Sequence, residues 1–288
     1  MSDDIFNQIG RIIAKKSHSG VSKDAAEWIS FLENTPNKAA EPAAEPAAEP
    51  AAKVQNAPAA DRNFKPVPRP VQQPFVQRAP EPAVPAQQPL AERAAEPQEF
   101  HVNSLEELHR MVSGCRRCPL ANSRNNLVFG EGNPHAELMF IGEAPGADED
   151  ATGRPFVGKA GQLLDKMITA MQFSRQEIYI ANILKCRPPY NRNPEPGEAA
   201  CCIAYLEEQI RLVNPKYIVL LGAVATRFLL KYDGPVGRIR GTWQNYKNIP
   251  VMVTYHPSFL LRTADAKKEA WSDLQQVMAK FGKFHKKG

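Results

Sequence analysis

The chain has 288 residues, a formal charge of +5 and a sequence pI near 8.9. That length holds one or two domains, and the mildly basic balance permits a polyanionic partner without requiring one. No apolar run is long enough to span a bilayer, the segment Met1-Ser2-Asp3-Asp4 lacks the basic and apolar regions of a secretory signal, and five cysteines, an odd number, do not suit a secreted disulfide framework. A reducing cytoplasm is the expected compartment, with thiols free to bind a metal.

Residues 1–34 carry two apolar stripes at helical spacing, Ile5, Phe6, Ile9, Ile12 and Ile13, then Ala25, Trp28, Ile29 and Leu32. They predict a short helical arm, too short to be stable alone, that either docks on the main domain or on a protein partner or stays a frayed helix. From 35 to 101 the chain changes character. Ala-Ala-Glu-Pro repeats at 39–50, and 14 of the 26 prolines fall between 36 and 97. Apolar side chains there are too sparse to offset the ordering entropy, so a disordered linker is expected. This places the folded domain at 102–282, followed by a basic tail at 283–288.

Ser104 to Leu108 opens a helix, with Ser104 as N-cap and Glu107 three residues later. Cys115-Arg116-Arg117-Cys118 follows it. Leu138 to Ile141 is a continuous apolar run and reads as a buried strand. Gly142 to Phe156 is a Gly/Pro loop with four acidic residues, Glu143, Asp148, Glu149 and Asp150, and a helix at 159–171 comes next. A second strand at Ile178 to Ala181 leads to Asn182 and Cys186, then to the proline-locked loop from Arg187 to Gly197. A helix from Glu198 to Val213 carries Cys201 and Cys202 in its first turns. A third strand, Tyr217 to Leu221, is closed by Gly222 and followed by a helix at 223–231. A fourth, Val251 to Tyr255, runs into His256-Pro257-Ser258, and a last helix covers 264–281. Strands and helices alternate four times, which implies an α/β fold with a mostly parallel four-stranded sheet and helices on both faces. Glu143, Asn182, Gly222 and His256 then lie at the carboxyl ends of the strands, the edge where such sheets bind ligands.

Two constellations carry chemistry. Cys115-x2-Cys118 is a chelating pair, and Cys186 with Cys202 or Cys201 forms a wider one. Four thiolates hold a tetrahedral zinc or an iron–sulfur cluster. Structural zinc sites more often show a second tight pair, so the wide spacing favours a cluster, with buried free thiols the plain alternative. Glu143, Phe156, Asn182 and His256 form the second set. Taken singly, a histidine before proline and an asparagine after a strand are ordinary turn and cap residues. Together they suit a flat polar ring: an aromatic face, an amide with a donor and an acceptor, and a histidine donor.

At four stretches the chain resembles the family-four uracil-DNA glycosylases, the iron–sulfur branch of the uracil-DNA glycosylase superfamily. These are Gly142-Glu143-Ala144-Pro145-Gly146, Gly153-Arg154-Pro155-Phe156-Val157-Gly158-Lys159-Ala160-Gly161, Asn182-Ile183-Leu184-Lys185-Cys186-Arg187-Pro188-Pro189 and His256-Pro257-Ser258. The likeness spans about 103–281 and not the first hundred residues. It implies a three-layer αβα sandwich and a 4Fe–4S cluster on Cys115, Cys118, Cys186 and Cys202, the last preferred to Cys201. It implies a DNA repair hydrolase that flips uracil out of single- or double-stranded DNA and leaves an abasic site. Phe156 would stack on the base and Asn182 would read its O4 and N3–H edge. Gly142, Glu143 and Ala144 would contact the base and place sugar or water, and His256 would donate to O2 as charge grows there. Leu260, Leu261 and Arg262 would wedge into the gap left behind. Arg116, Arg117, Lys185, Arg187 and Arg192 are candidate phosphate ligands. The position where better-known superfamily members carry a water-activating Asp is Ala144 here, so Glu143, then Glu149, is the candidate base. A monomer acting on DNA at the nucleoid, with no membrane contact, is expected. The alternatives are a non-catalytic iron–sulfur module beside a polymerase, and a glycosylase for another deaminated base such as hypoxanthine.

Overall fold

The computed structural model describes residues 100–283. The arm expected at 1–34, the linker as far as residue 99 and the tail from 284 lie outside the described residues. Ser104 caps the first helix, α1 (Leu105–Ser113), its Oγ accepting from the Glu107 N–H at 3.1 Å. The Glu107 carboxylate reaches back one residue further than a capping box requires and accepts from the Asn103 N–H at 2.9 Å.

The elements that follow are β1 (Glu131–Gly132), β2 (Leu138–Gly142), α2 (Ala147–Thr152), α3 (Lys159–Ala170), β3 (Tyr179–Asn182), α4 (Pro196–Val213) and β4 (Tyr217–Leu221). Then come α5 (Gly222–Leu230), β5 (Trp243–Tyr246), β6 (Ile249–Thr254), α6 (Pro257–Arg262) and α7 (Ala266–Lys280). The strands form one sheet in the order β1-β3-β2-β4-β6-β5. The four apolar runs are its parallel centre, and two antiparallel edge strands are added to them. β1 has two residues and no readable period. β5 is a polar hairpin partner of β6, joined through Lys247 and Asn248 at φ 47° and 70°, the left-handed pair that a tight hairpin turn needs.

The period-two alternation of the strands builds two apolar layers. Met139, Ile141, Ala181, Ile218, Leu220, Val251 and Val253 pack with α1, α4 and α5, while Leu138, Phe140, Ile180, Val219, Leu221 and Met252 pack with α3, α6 and α7. The result is a three-layer αβα sandwich. The chain leaves β2 for β3 on one side and returns to β4 on the other, so the strand order reverses at β2. Ligand crevices in open α/β sheets form at that switch point, beyond the carboxyl ends. Among the described residues no helix is long and apolar enough to cross a membrane.

Candidate active site

Gly142 and Asn182 are register partners at the ends of β2 and β3. Past the strands the ladder continues for two bonds, as Ile183 and Leu184 N–H donate to the carbonyls of Gly142 and Glu143 at 3.0 Å each. A Cβ on Gly142 would lie 2.5 Å from Asn182 Oδ1 and 2.5 Å from the Phe156 ring, so only glycine lets these two side chains meet. Gly222, at φ +86°, leaves the same kind of room for His256, whose Cβ would be 2.8 Å from an added methyl. Asn182 is buried, and its Oδ1 has no hydrogen-bond partner. A buried acceptor left unpaired is costly unless a ligand satisfies it.

Phe156 is buried with a left-handed backbone, φ 52°, and its surroundings hold it there. Arg175 donates to the carbonyl of Phe156 at 3.1 Å and to that of Pro155, and is itself fixed by Asp165 at 2.7 Å and Glu131 at 3.3 Å. A side chain at Gly161 would collide with the Phe156 carbonyl. The Glu149 carboxylate accepts from the N–H groups of Gly146 at 3.0 Å and of Val157 and Gly158 at 2.9 Å. It is therefore a clamp on the loop around Phe156. The acidic loop contains the short helix α2, where Asp150 is buried and accepts from Asn125. The Phe156 and His256 rings are 5.8 Å apart at 36°.

His256 is the N-cap of α6, with Pro257 at its first helical position. Its Nδ1 accepts from the Ser258 N–H at 3.1 Å. A main-chain N–H can only donate, so Nδ1 carries the lone pair and Nε2 the proton. Burial, aided by the Arg262 charge, pulls its pKa down to about 4, so the ring is a neutral donor at pH 7. The strand that carries it is anchored by Thr254, whose hydroxyl donates to buried Asp273 at 2.7 Å, with Arg240 on the same carboxylate. Glu143 is half-buried, and burial raises its carboxyl above the ordinary range. Glu143, Ala144, Phe156, Asn182 and His256 line one cavity of about 420 Å³, with Lys159 and Arg192 at its rim.

The segment after His256 is a helix, and this corrects one expectation. Leu260 points inward on α6 and is 0% exposed within the core, so it cannot serve as a wedge. Leu261, 49% exposed, and Arg262 occupy the outer face. Lys185 is likewise no phosphate ligand. It is fully buried, and its ammonium donates to the Asn182 carbonyl at 2.8 Å and to Gln209 Oε1 at 2.5 Å. Arg187 and Arg192 are engaged by Asn191 and Glu198, whereas Arg116 is exposed. Sequence reasoning missed Arg175, because nothing distinguishes an arginine 19 residues from its target in the chain, and it missed the inward role of Lys185.

The five cysteines are free thiols. Cys115, Cys118, Cys186 and Cys202 pack in the apolar layer beneath α1 and α4, and Cys201 lies outside it. Cys202 accepts from the Lys185 N–H at 3.4 Å, Cys186 from Arg124 at 3.1 Å and Cys115 from the Tyr205 hydroxyl at 3.4 Å. Cys201 instead donates to the Arg117 carbonyl at 3.4 Å. Burial pushes the Cys118 thiol up to about 11 and that of Cys202 to about 12, so thiolates here need a compensating cation. Among the described residues no three His, Cys, Asp or Glu side chains are arranged around one metal ion.

The model of the uracil DNA glycosylase superfamily matches residues 129–275. A Type-4 uracil-DNA glycosylase of Thermotoga maritima is 44% identical over 164 residues, covering 55% of this chain and 83% of the relative. Another, of Sulfurisphaera tokodaii, is 41% identical over 185 residues, with 61% and 84% covered. A third, of Archaeoglobus fulgidus, is 38% identical over 190 residues, with 63% and 96% covered. The matched span contains both the cavity and its supporting clamps, and the chain belongs to the uracil-DNA glycosylase superfamily, in its type-4 branch.

Proposed function

We propose that the cavity receives a uracil swung out of DNA and that its lining breaks the base–sugar bond. The protein is a uracil-excising DNA repair glycosylase, a hydrolase of N-glycosyl bonds acting on DNA. The observation that carries the assignment of the cavity is the unpartnered Asn182 Oδ1. Uracil N3–H is a donor for it, and the amide NH₂ has O4 as its acceptor. Phe156 supplies the stacking face. As the C1′–N1 bond breaks, its electron pair moves onto the base, and His256 Nε2–H donates toward O2, where that charge collects. Water adds to C1′ of the sugar cation and loses a proton. Glu143 is the base for that proton, since its raised pKa favours uptake, whereas three N–H groups occupy the Glu149 carboxylate. Gly142 and Ala144 shape the wall beside it. Leu261 and Arg262 remain as residues that enter the gap in the stack.

The soft, sulfur-only donor set with N–H groups aimed at it fits an iron–sulfur cluster. Cys115, Cys118, Cys186 and Cys202 would hold a 4Fe–4S cluster, which would clip the segment after α1 to the loop after β3 and supply no step of hydrolysis. We take the protein to act as a monomer. We place the catalytic domain at 102–282 and the protein's work in the cytoplasm at the nucleoid. Incubation with oligonucleotides holding one uracil, followed by alkali, tests the activity: strand cleavage at that position is expected, and cleavage at hypoxanthine alone or at no base would overturn the reading.

A further inference from the structure

The loop between Arg187 and Gly197 carries an aromatic side chain that base reading and hydrolysis leave unused. Tyr190 is 99% exposed, so its ring stands in solvent. Its backbone is left-handed, φ 55° and ψ 20°, and Asn191 after it is left-handed too, at φ 56°. Two such residues in succession are sterically unfavourable, the more so when one is bulky. Strain of this kind persists only where the surroundings impose it, and it gathers at functional sites.

The surroundings here are rigid. Pro188 and Pro189 fix the entry. Asn191 and Arg192 N–H donate to the carbonyls of those prolines at 3.1 Å each. Asn191 Oδ1 accepts from Arg187 Nε at 2.8 Å. The Arg192 guanidinium makes two bonds, of 2.6 and 2.9 Å, to the buried Glu198 carboxylate. The loop is thus pinned on both sides of its tip, and the tip is a flat apolar ring. Pro188, Asn191 and Arg192 line the cavity, so the backbone that carries Tyr190 runs along its edge.

A solvated ring on strained backbone contributes nothing to the folded state. It becomes useful only when a flat surface covers it. At the edge of a pocket that takes an extruded base, the flat surfaces at hand are the neighbouring bases, which have just lost a stacking partner. We propose that Tyr190 is a stacking platform for the nucleobase next to the extruded uracil, a subsite for an unpaired base in single-stranded or locally opened DNA. The proposal rests on the reading of the cavity as the uracil site. Its rigidity is part of the device, because a preset ring loses little freedom on binding. Base–aromatic stacking of this kind corresponds to roughly 5- to 150-fold in affinity.

The test uses full-length parent, Tyr190→Gly and Tyr190→Trp proteins on single-stranded oligonucleotides with one uracil. The base on its 5′ side, its 3′ side or both is replaced by a stable abasic spacer. On the intact substrate Tyr190→Gly should raise the half-saturating DNA concentration roughly 5- to 150-fold, with little change in the saturated single-turnover rate, and Tyr190→Trp should not. On the substrate lacking the partner base the parent and Tyr190→Gly should converge. The glycine variant should also melt at a higher temperature than the parent, which separates lost contact from lost fold. An equal loss with and without the neighbouring bases, or no loss at all, as for a ring that serves a protein partner, overturns the proposal. Failure of the cavity reading shows separately, as undiminished uracil excision by Asn182→Asp.

Discussion

The Lys185 ammonium donates to the main-chain carbonyl of Asn182 at 2.8 Å. The same residue's N–H donates to Cys202 Sγ at 3.4 Å. One buried residue therefore ties Asn182, with its unpartnered Oδ1, to the cysteine site, through its ammonium on one side and its main-chain N–H on the other, and Gln209 extends the tie by donating onward to the carbonyl of Phe129 at 2.9 Å. Lys185→Met removes the ammonium and leaves two buried acceptors unpaired. Each costs about 1–3 kcal/mol, so a clear drop in thermal midpoint is expected, with weakened discrimination of uracil from cytosine as the Asn182 backbone loosens. A midpoint equal to the parent's would show that the tie contributes nothing.

Arg175 should matter for binding more than for bond breaking. Arg175→Met frees the carbonyls of Pro155 and Phe156 and lets the left-handed Phe156 relax, so the stacking face is no longer preset. KM for a uracil oligonucleotide should rise on the order of tenfold, about 1.4 kcal/mol, with a smaller fall in kcat. Gly161→Ala, which drives a methyl into the Phe156 carbonyl, should destabilise the fold by about 1–3 kcal/mol and share the KM defect. A kcat loss with unchanged KM in Arg175→Met would remove Arg175 from this role.

The parts that could be read from the chain and the parts that could not divide along physical lines. The four central strands were legible because strands buried on both faces are apolar throughout, as in Leu138 to Ile141 and Tyr217 to Leu221. The edge strands were not, since Glu131–Gly132 is too short for a pattern and Trp243–Tyr246 is half solvated. Glu143, Asn182 and His256 could be found because each sits at the end of an apolar strand run, and Phe156 because it lies in the Gly/Pro loop that follows the first of them. The inward turn of Leu260 was missed because no element was assigned between His256 and residue 264; Pro257 at the first helical position was the available signal. Glu149 reads in sequence as a candidate base and Lys185 as a candidate phosphate ligand, and only packing reveals that one clamps three N–H groups and the other is buried.

His256 sets a pH expectation. Its folded pKa, near 4, lies below the unfolded value of about 6.5. Between those values the unfolded chain binds the extra proton, so stability rises with pH across that window and is lost as pH falls from about 6.5 toward 4. A neutral donor should also keep the excision rate free of a histidine step at 6.5. Any acid limb above 4 would belong to Glu143, whose carboxyl burial raises, and Glu143→Gln should abolish that limb along with most activity. A ring that titrates at 6.5 by NMR in the folded protein would contradict the buried neutral histidine.

The cysteine assignment has a colour test. The purified protein should be brown, and Cys115→Ala, Cys118→Ala, Cys186→Ala and Cys202→Ala should each bleach it and lower the thermal midpoint. Cys201→Ala should do neither, since its thiol faces the Arg117 carbonyl. A colourless parent with one zinc per chain would replace the cluster, and bleaching by Cys201→Ala would exchange the fourth ligand.

The sharpest prediction concerns Asn182 as the reader of the base. Uracil offers an acceptor at O4 and a donor at N3, whereas cytosine offers a donor at N4 and an acceptor at N3. An amide that points Oδ1 at N3 and its NH₂ at O4 satisfies the first pair and opposes the second. Each unmet buried polar group costs about 1–3 kcal/mol, and a site built on such bonds rejects a wrong partner by roughly 10⁴-fold. Asn182→Asp puts an oxygen against O4, so most uracil excision should be lost. The carboxylate can accept from N4, so slight cytosine excision should emerge. Asn182→Ala should lower uracil excision without that gain, which separates altered reading from simple damage. Uracil excision by Asn182→Asp at the parent rate would mean that the unpartnered Oδ1 faces something other than the base, and the cavity between Phe156 and His256 would need a different ligand.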